Sequence, residues 1–340
     1  MRVFRPGRWL FVLAVLIVVL AASPASAQTC KVTNAPAFAT TKMDIVSGKE
    51  TYTASTEIGY ECSAIGPVGS VATIGVQICA YILKDAGMSP ASKTDIFYQT
   101  GDGNSRLAFN AQFEPGLAPN GQSTVTGSAG KLTLDGSGKL NGSLRLRVTH
   151  LGRQQQDRVR SGTYGGEYRI VSNYRFNAAE VPCPQDPLSA DEATIFTLPT
   201  TIQPTCQLEN KGEKQDTFDP IDFGTRSALS AANAGAGAIR ATTNIDVRCT
   251  YETPYALDLD NGKNFDGGTR RMKNGDNFLA YQLFNKSASG ESSPWSKLSG
   301  IGNTVNAVNK HTVEGQLTTP IAIAPAAGAY ADTVVVTLTF

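Results

Sequence analysis

The stretch "GAYADTVVVTLTF", residues 328–340, decides how this chain folds. From Thr333 onward it alternates. Val334, Val336, Leu338 and Phe340 fall on one face, and Thr333, Val335, Thr337 and Thr339 on the other. A period of two predicts a β-strand with one buried face. The same pattern recurs upstream, in short apolar runs separated by Gly, Asn, Asp and Pro turns. "YALDLDNGKNF" (255–265) alternates into Asp260-Asn261-Gly262 and reads as a hairpin. Beyond the N-terminal segment no long stretch has 3.6-residue apolar periodicity. The class predicted from these patterns is all-β, with two antiparallel sandwiches.

The first residues bear on compartment. Arg2, Arg5 and Arg8 flank an apolar run from Trp9 to Ala22, and Pro24 and Ala25-Ser26-Ala27 follow. This is the grammar of a secretory signal peptide over residues 1–27, cleaved after Ala27. The run is short for a membrane span, which needs roughly 20 residues, and a retained anchor is the alternative. Taking the three signal arginines from a formal charge of +1 leaves −2. With no basic stripe or tail, nucleic acid and anionic lipid are not expected partners. A charged fraction of 17% beside 33 glycines suits a turn-rich exported β protein.

All six cysteines, Cys30, Cys62, Cys79, Cys183, Cys206 and Cys249, lie in the exported part. An even number in that setting predicts three disulfides, but six cysteines allow 15 pairings. A diverged internal repeat narrows the choice. The second copy runs through Cys206, "TTNIDVRC" (242–249), "NFLAYQLF" (277–284) and "GAYADTVVVTLTF". The first runs through Cys30, "TEIGYECSA" (56–64), "SRLAFNAQF" (105–113) and "SGTYGGEYRIVSNYRF" (161–176). In each, a strand ends at a second Cys, a Leu-Ala-aromatic strand follows, and a Gly-x-Tyr turn opens the last strand. The repeat suggests Cys30–Cys62 and Cys206–Cys249 as equivalent bonds and leaves Cys79–Cys183 as the third.

With Phe223-Gly224, "YALDLDNG" (255–262), "RRM" (270–272), Trp295 and "GIGNTV" (300–305) in this order, nearly all of 206–340 closely resembles the spore coat protein U domain. The first half resembles it more weakly, with a longer middle. That family builds archaic, Csu-type chaperone–usher pili, and two such domains behind one signal peptide resemble the two-domain tip adhesin subunit of those pili. The resemblance implies immunoglobulin-like β-sandwiches, the C-terminal one lacking its last strand. A periplasmic chaperone, and then the N-terminal strand of an adjacent pilin subunit, would fill that groove by β-augmentation, and an outer-membrane usher would export the fibre. The groove is expected along Val334, Val336, Leu338 and Phe340.

The expected layout is an N-terminal adhesin domain at 28–183, a linker at 184–205 and a pilin domain at 206–340. Only Gln28 and Thr29 would precede the first cysteine, so the chain could accept a strand but donate none, which places it at the pilus tip on the cell surface. In the linker, Phe196, Leu198, Thr200 and Ile202 share one face of an extended segment. It either completes the first domain within the same molecule or is a plain connector, and Pro199 disfavours a long regular ladder. Two apolar loops, "AIGPVGSV" (64–71) and "GLAPNG" (116–121), are candidate adhesive surfaces for a host or abiotic target. Ile65, Pro67, Val68, Leu117 and Pro119 would form them, unless they pack into the sandwich ends. Surface attachment and biofilm formation are the expected outcome; a minor structural subunit or a free secreted protein of the same fold is the alternative.

Enzyme chemistry finds little support. There is no G-x-S-x-G, H-E-x-x-H or G-x-x-x-x-G-K-[ST] motif. "DGSGKL" (135–140) reads as a hairpin turn, not a phosphate loop. Asp258, Asp260, Asn264 and Asp266 carry oxygen ligands, but a calcium loop would want a polar residue and a Glu where Gly262 and Thr269 stand. His150 and His311 have no Ser or Cys motif beside them and are expected at the surface. No cofactor is implied.

Overall fold

The computed structural model describes residues 29–47, 51–63, 76–84, 96–114, 129–131, 133–134, 139–153, 156–176, 191–210, 213–214, 216–226, 229, 239–318, 321 and 324–340. Their alternating runs form short strands. In chain order these are β1 (Thr29–Asn34), β2 (Thr41–Met43), β3 (Thr51–Ser63), β4 (Val76–Lys84), β5 (Ile96–Thr100), β6 (Arg106–Glu114) and β7 (Ala129–Lys131). Next come β8 (Thr133–Leu134), β9 (Leu140–Leu151), β10 (Gly162–Tyr164), β11 (Glu167–Phe176), β12 (Glu192–Thr197) and β13 (Thr200–Ile202). The second half holds β14 (Cys206–Asn210), β15 (Glu213–Lys214), β16 (Arg240–Cys249), β17 (Pro254–Leu259) and β18 (Arg270–Asn274). It ends with β19 (Asn277–Lys286), β20 (Ser292–Pro294), β21 (Leu298–Ile301), β22 (Asn309–Leu317) and β23 (Val336–Thr339). A 3-10 turn spans Asp102–Asn104.

The strands build two β-sandwiches that share a five-strand order in one sheet, to which the second sandwich adds β15 beside β14. One sheet of the first runs β1-β3-β9-β6-β5, and its counterpart in the second runs β14-β16-β22-β19-β18. The cysteines anchor this register. Cys30 sits directly opposite Cys62 in the β1–β3 ladder, and Cys206 opposite Cys249 in β14–β16; both pairs are disulfide-bonded. Cys79 is also disulfide-bonded, and Cys183 lies outside the described residues. The second sheets differ by one strand: β12-β11-β4-β7 in the first sandwich against β23-β17-β21 in the second. By chain order β11 corresponds to β23, β4 to β17 and β7 to β21, so β12 has no counterpart among the described residues.

The cores reflect this difference. Among the described residues, nineteen apolar side chains are buried between the sheets of the first sandwich, Ile58, Phe109, Leu146, Ile170 and Phe196 among them, and three are half-buried. In the second, twelve are buried and fourteen only half-buried. Among the described residues the second core is therefore the more open of the two.

Two sequence expectations need correction. Asp260-Asn261-Gly262 does not close a hairpin, because β17 pairs with β21 and β23 while β18 pairs with β19 in the other sheet. Asp260 Oδ1 accepts the Gly262 N–H at 2.9 Å and the Val335 N–H at 2.9 Å, so the turn serves a crossover between sheets. Gly262 has φ 79°, a left-handed conformation that costs glycine little. The histidines are not surface groups: His150 is fully buried, and His311 is half-buried with Nε2 2.8 Å from the Tyr255 hydroxyl. The strands flanking 135–138 pair antiparallel, while the turn itself lies outside the described residues.

Val305, from the "GIGNTV" loop of the second sandwich, inserts into an apolar cluster of the first formed by Met43, Ile45, Leu107, Val159, Tyr164 and Ile202. Its N–H donates to the Asp157 carbonyl at 2.9 Å, and its carbonyl accepts from Arg248 Nη1 at 3.0 Å. Arg248 also grips the buried Glu209 carboxylate through two bonds of 2.5 and 2.8 Å, with Arg153 of the first sandwich 3.6 Å away. Burial would raise the Glu209 pKa, but Arg248 and Gln207 outweigh it and hold the carboxyl below its ordinary range. The Val305 knob and the Arg153–Glu209 pair link the two sandwiches.

Candidate functional site

The candidate site is the free edge of β23. Its alternation follows from the sequence: Val334, Val336 and Leu338 turn toward the core half-buried, while Thr333, Val335, Thr337 and Thr339 are exposed. Regular pairing is shorter than the sequence pattern suggests and covers Val336–Thr339 against Leu259–Ala256. Upstream, the lead-in is held by single contacts. The Lys263 N–H donates to the Thr333 carbonyl, the Asp260 N–H to the Val335 carbonyl, and Lys273 and Ala331 exchange a bonded pair.

Asp332 fixes this lead-in. It accepts the Lys263 N–H at 3.0 Å, Asn264 Nδ2 at 3.1 Å and the Tyr281 hydroxyl at 2.7 Å. Burial, with Asp332 beside it, pushes the Tyr281 phenol well above its ordinary value, so it stays a donor. β23 thus has β17 on one side and, among the described residues, no strand bonded on the other. In the first sandwich the corresponding strand, β11, has both sides covered, by β4 and β12. There β12 neighbours β1; in the second sandwich β23 itself neighbours β14, the equivalent of β1.

Phe340 is not part of the half-buried row. It is 59% exposed and lines a shallow surface groove of about 570 Å³ with Pro254, Tyr255, Ala256 and Ile301.

The linker residues are strand residues of the first sandwich. β12 runs antiparallel to β11, with Tyr168 opposite Phe196. Phe196, Leu198, Thr200 and Ile202 are buried, while Ile195, facing the other way, is 54% exposed. At Pro199 the ladder breaks: β13 leaves β11 and pairs with β10 and β2, and the Pro199 carbonyl accepts the Thr41 N–H. A buried polar cluster that sequence reasoning missed secures the crossing. Gln99 Nε2 donates to the Leu198 carbonyl, and His150 Nε2 lies 3.0 Å from both Gln99 Oε1 and Thr200 Oγ1. Burial lowers the His150 pKa to about 4, so the ring is neutral there at pH 7. Gln99 and His150 alternate correctly with the apolar positions of β5 and β9, and only their polarity hid them.

Ile65, Pro67, Val68, Leu117 and Pro119 lie outside the described residues. Among the described residues no group of three His, Cys, Asp or Glu side chains could hold a metal ion, and no helix is long and apolar enough to cross a membrane.

Comparison with known proteins bears on this geometry. The CsuC–CsuE chaperone–tip adhesion subunit pre-assembly complex from the archaic chaperone-usher Csu pili of Acinetobacter baumannii is similar at 16% identity, over 92% of this chain and 100% of the other, with a TM-score of 0.45. The CupB6 tip adhesin from Pseudomonas aeruginosa is similar at 9% identity, over 92% and 91%, with a TM-score of 0.37. No curated protein matches the chain in sequence. The Spore Coat Protein U domain model matches residues 192–337, beginning at the first residue of β12, ahead of Cys206. The part of the chain similar to the Spore Coat Protein U domain is thus the second sandwich together with β12 and β13 ahead of it.

Proposed function

We propose that this chain is a non-enzymatic subunit at the tip of a chaperone–usher pilus, with its first sandwich the adhesive head and its second the joint to the fibre. The observation that carries the reading is the unmatched strand: β12 covers β11 in the first sandwich, and nothing described covers β23 in the second. A strand from a periplasmic chaperone, and then from the adjacent subunit, would enter between β23 and β14. It would gain backbone bonds along β23 and finish burying Val334, Val336 and Leu338. A fully buried side chain of this kind is worth about 1.5–3 kcal/mol, so completing a half-buried one adds roughly 1 kcal/mol each.

What supports a tip position is where the domain's own leading strand goes. The Spore Coat Protein U match begins with β12, and β12 is bonded within the first sandwich. That strand is spent inside the molecule and is not free to join a neighbour. On this reading the chain accepts a strand at β23 while its interdomain strand stays engaged with β11, which suits the end of a fibre. Export through the periplasm and the outer-membrane usher, display on the cell surface, and attachment leading to biofilm belong to the same reading.

The test is Val336→Asp with Leu338→Asp, which places two carboxylates where the incoming strand packs. The expected outcome is loss of the chain from isolated surface fibres. Incorporation at the wild-type level overturns the groove assignment.

A further inference from the structure

A cavity of about 490 Å³ opens where the two sandwiches meet, sharing no residue with β23. The first sandwich contributes Tyr98, Asn104, Arg106, Asp157, Arg158 and Arg160, and the second contributes Tyr251. Three guanidinium groups thus face one concave space. The Arg158 and Arg160 guanidinium carbons lie 5.9 and 5.6 Å from the Tyr251 ring centre, and that of Arg106 lies 5.7 Å from the Tyr98 ring. Arg160 is paired with Glu252 at 2.6 Å. Arg106 and Arg158 are exposed and make no ion pair among the described residues. With Glu252 set against Arg160, Arg106 and Arg158 outnumber Asp157 in the lining.

Backbone strain converges on the same place. The two non-glycine residues with positive φ among the described residues are Asn104 (61°) and Glu252 (58°). One lines the cavity and the other holds its Arg160, each from a different sandwich. Strained backbone of this kind gathers at functional sites, where the surrounding structure maintains it.

We propose that this cavity binds a carboxylated sugar unit of an acidic polysaccharide. Guanidinium groups prefer planar, bidentate carboxylate partners. The volume is in the range of small-molecule sites, well beyond what a bare oxyanion fills. Asp157, whose Oδ1 already accepts from Asn306 Nδ2, would repel a bare anion but could accept a further hydrogen bond from a ring hydroxyl. The Tyr98 and Tyr251 rings carry the guanidinium groups and hold them at the cavity wall. The site does not rest on the pilus reading, because binding is measured on the purified chain in solution.

The test is titration of the full chain, exported and purified, with an oligogalacturonate of defined length. An uncharged maltooligosaccharide and inorganic phosphate are the comparison probes. Saturable binding of oligogalacturonate is expected, weakening as salt rises and falling at least about tenfold in Arg106→Gln with Arg158→Gln. Arg145→Gln with Arg147→Gln makes the same charge change on exposed β9 positions outside the lining and should leave binding intact. Equal loss in both double variants, absence of binding, or phosphate binding as tightly as the oligosaccharide would each overturn the proposal.

Discussion

Replacing Phe196 with Ala tests whether the segment before the second sandwich completes the first. Phe196 is 2% exposed, and its ring centre lies 5.2 Å from that of Tyr168 and 5.7 Å from that of Phe38. Truncating a buried Phe to Ala costs about 3–5 kcal/mol, a large share of the roughly 5–15 kcal/mol that holds a domain together. The neighbouring Ile195 gives the control, because it is 54% exposed on the opposite face of the same strand. Ile195→Ala should stay within about 0.5 kcal/mol. A mere connector would respond weakly and alike to both changes. The assay is amide hydrogen exchange by mass spectrometry on peptides covering β4 and β11. Since about 1.4 kcal/mol is tenfold in an opening equilibrium, Phe196→Ala should speed exchange there at least about a hundredfold. Equal, small effects from the two variants would refute the reasoning.

Three further outcomes follow from the same geometry. Glu209→Gln leaves Arg248 buried without its carboxylate and should cost about 3–5 kcal/mol, read as a lower urea midpoint by Trp295 fluorescence; an unchanged midpoint contradicts it. His150 has a folded pKa of about 4, below its ordinary 6.5, so the unfolded chain binds a proton first as pH falls. Stability is present above pH 6.5 and is lost between there and pH 4, by up to roughly 3 kcal/mol, and His150→Gln should flatten that part of the profile. Asp332→Ala frees the Tyr281 hydroxyl and two donors of the 263–264 turn, and should cost about 2 kcal/mol while speeding amide exchange in 331–338; unchanged exchange would count against the role given to Asp332.

Much of this fold is legible in the sequence, because strand faces and cysteine register are local patterns. Val334, Val336 and Leu338 alternate with threonines, and Phe196, Leu198, Thr200 and Ile202 alternate through the linker, so their buried faces can be read directly. Pro199 likewise marks the point where a ladder must change partners. What escapes is pairing across space. Asp260-Asn261-Gly262 announces a turn, but nothing local says that the chain then crosses to the other sheet. His150 reads as a surface group because polarity suggests exposure; only the fold brings Gln99 and Thr200 to its Nε2. Val305 sits in a Gly-rich loop, and its role as a knob between sandwiches depends on a pocket assembled from residues as distant as Met43 and Ile202. The groove is read from a difference between two sheets that only the assembled topology provides.

The central claim is that this chain accepts a strand but gives none, and so ends a fibre. Immunogold electron microscopy of the source cells, with antibodies against residues 28–183, tests it most directly. The account predicts single gold particles at fibre ends. Label distributed along the shafts, or found only in the medium, would contradict it and make the chain a structural subunit or a free secreted protein.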